Sequence, residues 1–243
     1  MRAPYKSLFR LLTIQAAWTY ERMGGIGVAH ALIPLLRDGV PDDRRPGAFS
    51  RSAEFFNSHP WLAGLAVGAE ARAERDGTPP EQIQRLRAAL GGPLGALGDR
   101  VIWTGLFPAL VGLALLGGGF LGWWVPLAVV GVAAVVRWEV TRWSLRRGLE
   151  SGIRVAAVIK ESALSRAGSA IGLTGLVASA VGAAFVARGG GERVAPGIPP
   201  WVIAVMALMG CGMVLKVGAR LPSQRLALVL GVLVLLFWQV LTR

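Results

Sequence analysis

Charge is scarce in this chain of 243 residues: only 16% are Asp, Glu, Lys or Arg, against about 25% in a soluble domain. That scarcity excludes a disordered chain, which is charge-rich and poor in apolar residues. Cysteine is nearly absent, with Cys211 alone, so no disulfide framework exists. With only two histidines, His30 and His59, a Cys/His zinc site is excluded as well. Catalytic signatures are missing too. There is no Walker-type loop and no Gly-x-Ser-x-Gly, and Ala96-Leu97-Gly98-Asp99 departs by one residue type from the Gly-x-Gly-Asp of intramembrane aspartyl proteases. Neither an enzyme nor a cofactor is expected, and no metal site.

Apolar residues are abundant: 53% of the chain, with a mean hydropathy of +0.53. Glycine, 33 residues, is about twice its usual share, which suits close helix packing in lipid. The net charge of +12 is unevenly spread. Residues 1–100 hold 13 Lys and Arg against 10 Asp and Glu, whereas residues 101–243 hold 13 against 4. The excess therefore falls in the more apolar half, as in charged loops between membrane spans. A nucleic-acid binder would carry a basic stripe on a polar domain, so no nucleic-acid partner is expected.

Four uncharged runs define the spans: 101–136, 167–187, 194–215 and 226–242. At about 1.5 Å per residue the second reaches roughly 32 Å, enough for a hydrocarbon core of ~30 Å. The first is too long for one span. Gly117-Gly118-Gly119, Pro108 and Pro126 interrupt it, so a broken or re-entrant hairpin is expected. The fold class is thus all-α, a polytopic integral membrane protein with broken helices and an amphipathic helical N-terminal region. The expected organisation is 1–100, amphipathic helices with a Gly/Pro-rich break; 101–166, the broken hairpin and a basic cytoplasmic loop; and 167–243, three transmembrane helices. Loop 137–166 carries seven Lys or Arg, against two in 188–193 and three in 216–225. This places 137–166 and the N-terminal region in the cytoplasm and the C-terminus outside. The N-terminal stretch has no cleavage signature and is not read as a signal peptide.

Three polar blocks stand out in the N-terminal half. Glu54-Phe55-Phe56-Asn57-Ser58-His59-Pro60-Trp61 sets amide and carboxylate groups beside aromatic rings, a combination that suits a sugar's hydroxyls and its apolar ring face. The same residues also suit a plain helix break, with helix up to Asn57 and again from Pro60. Gly91 to Arg100 packs four Gly and one Pro into the eight residues before Asp99. That makes a poor continuous helix, open either to a transporter-type break or to a simple loop with Asp99 capping the span. Trp18-Thr19-Tyr20-Glu21-Arg22-Met23 offers Trp18, Glu21 and Arg22 to a neighbouring subunit, or equally anchors an interfacial helix. His30, inside the apolar run Val28 to Leu36, reads as a packed or interfacial histidine. Gly64/Gly68, Gly91/Gly95, Gly118/Gly122 and Gly168/Gly172 have the spacing for close helix approach.

In this order the three blocks resemble the enzyme IID component of the mannose/fructose/sorbose-type sugar phosphotransferase system. The resemblance rests on Trp18 to Met23 followed by Gly27 to Pro34, on Glu54 to Pro60, and on Gly92 to Asp99 followed by Trp103 and Pro108. It covers nearly the whole chain. It implies a multi-pass subunit of the bacterial cytoplasmic (inner) membrane that pairs with enzyme IIC, as a trimer of such pairs in membrane lipid, and translocates a hexose-type sugar. Phosphate comes from IIA and IIB, so neither histidine is a phosphohistidine. Asn57, His59 and Asp99 are then expected near the polar route, with Glu54 and Arg100 in support. Arg100 stands where the family usually has Ser, and Phe107 where it usually has Arg. These departures motivate the alternative of a non-transporting scaffold or regulatory subunit that binds the same partners.

Overall fold

The computed structural model describes residues 2–162 together with 175, 177 and 178. Eight α-helices occur among them: α1 (Arg2–Leu12), α2 (Gly25–Gly39), α3 (Arg45–Ser52), α4 (Ala63–Arg75), α5 (Pro80–Gly98), α6 (Phe107–Leu121), α7 (Trp124–Ser151) and α8 (Val155–Glu161). Short 3₁₀ turns lie at Ile14–Ala17 and Gly152–Arg154, and a π-helical segment, Asp99–Leu106, joins α5 to α6. No strand forms among the described residues. The three expected spans in 167–243, Cys211 and the loops 188–193 and 216–225 lie outside the described residues.

The described chain falls into two units, one of residues 2–107 with 127–162 and Gly175, the other of residues 108–126 with 177 and 178. The first is organised around α4. Every residue from Ala63 to Ala71 is buried, Glu70 among them, and so is Glu74. Its small side chains admit neighbours closely on several sides. A Cβ at Gly64 would strike Ser144 and Leu145 of α7, and one at Gly68 would lie 2.6 Å from the Leu149 nitrogen. Gly148 answers from α7, where a Cβ would meet the backbone of Leu65 and Ala69. The Gly64/Gly68 spacing therefore serves a backbone-to-backbone crossing. Around α4, α2 buries Val28, Ala31, Leu32, Leu35 and Leu36, and α1 adds Leu8 and Leu11 to the same core.

Several local expectations are corrected here. The Gly/Pro-rich stretch 91–98 is helix, the C-terminal part of α5, and Pro93 sits inside it. Its buried positions Ile83, Arg87, Leu90, Leu94 and Leu97 repeat at helical spacing, so one face is fixed by packing and offsets the poor propensity of its glycines. The irregularity lies just beyond, in the π-helical turns from Asp99. Asp99 forms no side-chain cap. Residues 137–151, expected as loop, continue α7, with α8 after a single 3₁₀ turn. Helix ends at Ser52 rather than Asn57, leaving 53–62 as an irregular connection.

In the second unit the glycine triplet 117–119 is likewise helical, and the chain reverses at Gly122, whose φ of 103° demands glycine. A Cβ at Gly117 would lie 2.5 Å from Val125 Cγ1, so that glycine keeps the reversal tight. Two helical stretches, Pro80–Gly118 and Trp124–Glu161, are long and apolar enough to cross a membrane. Only 28% and 6% of their apolar windows are buried within the chain. Exposed Val111, Leu113, Trp124, Leu127, Val130 and Val135 belong to these stretches, a surface suited to lipid or a partner helix.

The α4–α7 crossing is tested by Gly68→Ala, which should lower the thermal midpoint in detergent by several degrees, an overpacking cost of about 1–3 kcal/mol. Gly131→Ala on α7, where a Cβ meets nothing within 4 Å, should leave the midpoint unchanged or raise it. Equal behaviour of the two variants would rule out the close crossing.

Candidate functional site

The three polar blocks, far apart in sequence, come together. The first turns back on itself, with the Met23 N–H donating to the Thr19 carbonyl at 2.8 Å. Met23 adopts φ 49°, a left-handed conformation that a non-glycine residue rarely takes. This turn presents its backbone to the second block. The Phe56 N–H donates to the Arg22 carbonyl at 3.3 Å, and the Gly24 N–H to the Phe56 carbonyl at 2.9 Å. Gly25 permits the approach, since a Cβ there would collide with the Glu54 carbonyl.

The second block lies along the third. A Cβ at Gly91 would lie 3.0 Å from the Asn57 carbonyl, one at Gly95 would lie 4.0 Å from Ser58 Cα, and one at Gly98 would run into the His59 ring. These glycines recur at one face of α5, so residues 57–59 rest along a side-chain-free track. The Gly91/Gly95 spacing here receives a loop, not a helix.

A buried charge cluster holds this connection. Arg87 sits in the middle of the apolar stripe of α5. It donates to Glu70 Oε2 of α4 at 2.5 Å and to the carbonyls of Ser52 and Glu54 at 3.0 and 3.3 Å, and it lies over the Phe56 ring. Arg51 pairs with Glu74 at 2.7 Å beside it. Glu70 Oε1 has no hydrogen-bond partner, and burial pushes this carboxyl above its ordinary range while Arg87 draws it partly back. Removing one member of such a pair costs about 3–5 kcal/mol, because the other stays buried and uncompensated. The sequence reading did not single out Arg87, Glu70 or Ser52. The available signal was a cation recurring in register with Ile83, Leu90, Leu94 and Leu97.

His59 is 2% exposed. Its ring meets Trp61 and Trp103 edge-on at 6.1 and 5.7 Å, and Phe107 stacks on Trp103 at 4.9 Å. Nδ1 accepts the Trp61 N–H at 3.3 Å, which leaves the proton on Nε2, a buried donor without a partner. Burial lowers the His59 pKa to about 4, with Asp99 opposing the shift and Arg137 adding to it. Asp99 and Arg100 are exposed at the start of the π-helical turns. There the Thr104 hydroxyl donates to the Arg100 carbonyl at 2.6 Å, inside the widened turns. Asn57 and Glu54 are exposed, and Glu54 accepts from Gln84 at 3.5 Å. Trp18, Glu21 and Arg22 are exposed on the first block. His30 is exposed on α2, which removes the packed reading and leaves the interfacial one as an expectation.

The family model of the PTS system mannose/fructose/sorbose family IID component matches residues 2–240. The chain belongs to this family. Similar proteins include the fructose permease IID component of Bacillus subtilis, 27% identical over 57% of this chain and 53% of that one. The mannose-specific EIID component of Escherichia coli K12 is 28% identical over 58% and 52%, and the sorbose-specific EIID component of Klebsiella pneumoniae 29% over 67% and 61%. The chain thus spans about half the length of the fructose and mannose relatives it matches. Two solved structures share the fold at 19% identity. One is titled as a membrane protein, with a TM-score of 0.68 over 98% of this chain and 96% of that one. The other is the mannose transporter ManYZ in complex with microcin E492, with a TM-score of 0.58 over 96% and 93%.

The neutral, buried His59 gives a pH signature. Between pH 6.5 and about 4 the unfolded chain binds more protons than the folded one. Stability is therefore complete above 6.5 and is lost as pH falls through the window, at most about 1.4 kcal/mol per pH unit. Unfolding midpoints in detergent at stepped pH should show this slope in the wild type and a flatter one in His59→Gln. An equal slope in both would exclude His59 as its source.

Proposed function

We propose that this IID component is a subunit of a mannose-family sugar permease that, together with enzyme IIC, moves a hexose-type sugar across the bacterial inner membrane. Translocation is coupled to phosphorylation by IIA and IIB, and IID carries no phosphorylated residue of its own. The unit is multi-pass, with residues 137–166 on the cytoplasmic side, and assembles as a trimer of IIC–IID pairs. Trp18, Glu21 and Arg22, exposed on the first block, face a partner subunit.

The observation that carries the reading is the convergence of a polar loop, an aromatic wall and a widened helix. Asn57 presents an amide, Asp99 a carboxylate at the start of the π-helical turns, and His59 Nε2 an unsatisfied donor beside Trp61 and Trp103; Glu54, beside Gln84 towards the other end of α5, is read as a support further along the loop. A buried donor left unpaired costs about 1–3 kcal/mol, which a sugar hydroxyl would recover. Aromatic faces suit the apolar side of a pyranose. Arg100, exposed next to Asp99, is read as a supporting residue. Phe107 extends the aromatic wall by stacking on Trp103, so the position where relatives usually carry Arg is used here for packing. The relatives named above are described as permease or phosphotransferase components, and the scaffold alternative gains no support from them.

Phosphoenolpyruvate-dependent sugar uptake in cells expressing the cognate IIC, IIA and IIB tests this. Asp99→Asn and Asn57→Ala should each reduce uptake at least about tenfold, the loss of a hydrogen bond worth roughly 1.5 kcal/mol, with membrane levels unchanged. Wild-type uptake in both variants would remove these residues from the route, and absent uptake in the wild type would favour the scaffold.

A further inference from the structure

We infer that the N-terminal helices form a binding groove for the phosphate headgroup of an anionic phospholipid, a site separate from the proposed sugar route. Two adjoining recesses, of about 250 and 280 Å³, run between α1, α2 and α3 and share Ile33 and Arg37. Lys6, Arg10 and Arg37 line the first, and Arg37 and Arg45 the second. Asp38 is the one carboxylate lining either recess.

These cations differ in how they are engaged. Arg45 is committed to Asp42 and to the Val40 carbonyl, and Arg10 donates to the His30 carbonyl at 2.9 Å. Among the described residues, Lys6 and Arg37 have no ion-pair partner, and both are exposed. Two uncommitted cations converging on one recess attract a compact anion.

The surroundings select a lipid over a free anion. The floor is apolar, with Ile33 and Pro34 in one recess and Phe49, 44% exposed, in the other. Tyr5 and Phe9 of α1 are 60% and 59% exposed. At helical spacing they share one side of α1, next to Lys6 and Arg10; the Phe9 ring meets Trp138 edge-on at 5.3 Å, and the Tyr5 ring stays exposed. An amphipathic helix with exposed aromatic rings beside basic side chains is built to lie in a membrane interface. There Tyr5 and the exposed side of Phe9 enter the headgroup layer and the cations meet phosphate. The acidic face of a cytoplasmic protein would satisfy the cations and leave the rings in water.

The test uses the full chain in dodecyl maltoside, its thermal unfolding followed by tryptophan fluorescence. Phosphatidylglycerol, phosphatidylcholine and inorganic phosphate are titrated separately. Phosphatidylglycerol should raise the midpoint saturably, while phosphatidylcholine and equimolar inorganic phosphate should not. The half-saturating phosphatidylglycerol concentration should rise about tenfold or more in Lys6→Gln/Arg37→Gln. Arg142→Gln/Arg146→Gln, which removes the same charge from the exposed face of α7, should leave it unchanged. Should the double variant fail to fold, Lys6→Gln alone carries the test with a smaller shift. Equal weakening by both double variants, no weakening by either, or equal stabilisation by inorganic phosphate would each overturn the proposal. Sugar uptake is a separate readout, so failure here leaves the transport reading standing.

Discussion

The site depends on one buried guanidinium. Arg87 ties three things to α5: the carboxylate of Glu70 on α4, the backbone of residues 52–54, and the ring of Phe56. Without that tether the connection between α3 and α4 would keep its backbone bonds to Arg22 and Gly24 but lose its polar link to α4 and α5, where the adjoining face of α5 is a glycine track. Paired charge in an apolar core is a costly way to stabilise a fold. Its benefit is directional: a guanidinium fixes two carbonyls and a carboxylate in one geometry, which hydrophobic contact does not. The loop so fixed is the one that bears Asn57 and His59.

Glycine has a different role at each place it clusters. On α4 and α7 it lets two backbones cross. On α5 it clears a bed for an extended loop, and at Gly122 it permits a conformation that other residues avoid. Because α5 is regular through Gly98, the departure from α-helix falls at Asp99–Leu106, next to the aromatic wall of Trp61, Trp103 and Phe107. A π-helical turn keeps its backbone hydrogen-bonded while loosening the ladder. An apolar environment tolerates that and penalises a full break.

Much of this was legible in the residues. Runs of uncharged sequence gave the all-α membrane class, and three polar blocks in a fixed order gave the family. The blocks' mutual contact was not legible, because the hydrogen bonds that join Arg22, Gly24 and Phe56 are made by backbone, which carries no residue-specific signal. Gly91 to Gly98 read as a break because propensity counts glycine against a helix, whereas here tertiary packing of Leu90, Leu94 and Leu97 prevails. Residues 137–151 read as loop because charge marks solvent, yet an arginine-rich helix can bury one narrow stripe, Thr141, Ser144, Leu145 and Gly148, and leave its cations outside. Arg87 was overlooked for the converse reason: a lone cation in an amphipathic helix looks like surface.

The central claim is that residues 57–59 lie along the glycine face of α5. Cysteine cross-linking in native membranes, in a Cys211→Ser background, tests it most directly. A Cβ at Gly95 lies 4.0 Å from Ser58 Cα, whereas one at Gly92 meets nothing within 4 Å, and a disulfide needs Cβ atoms about 3.5–4.5 Å apart. Mass spectrometry of linked peptides after mild oxidation should find rapid bond formation for Ser58→Cys with Gly95→Cys and little for Ser58→Cys with Gly92→Cys. Equal linkage in the two pairs, or none in the first, would contradict the account.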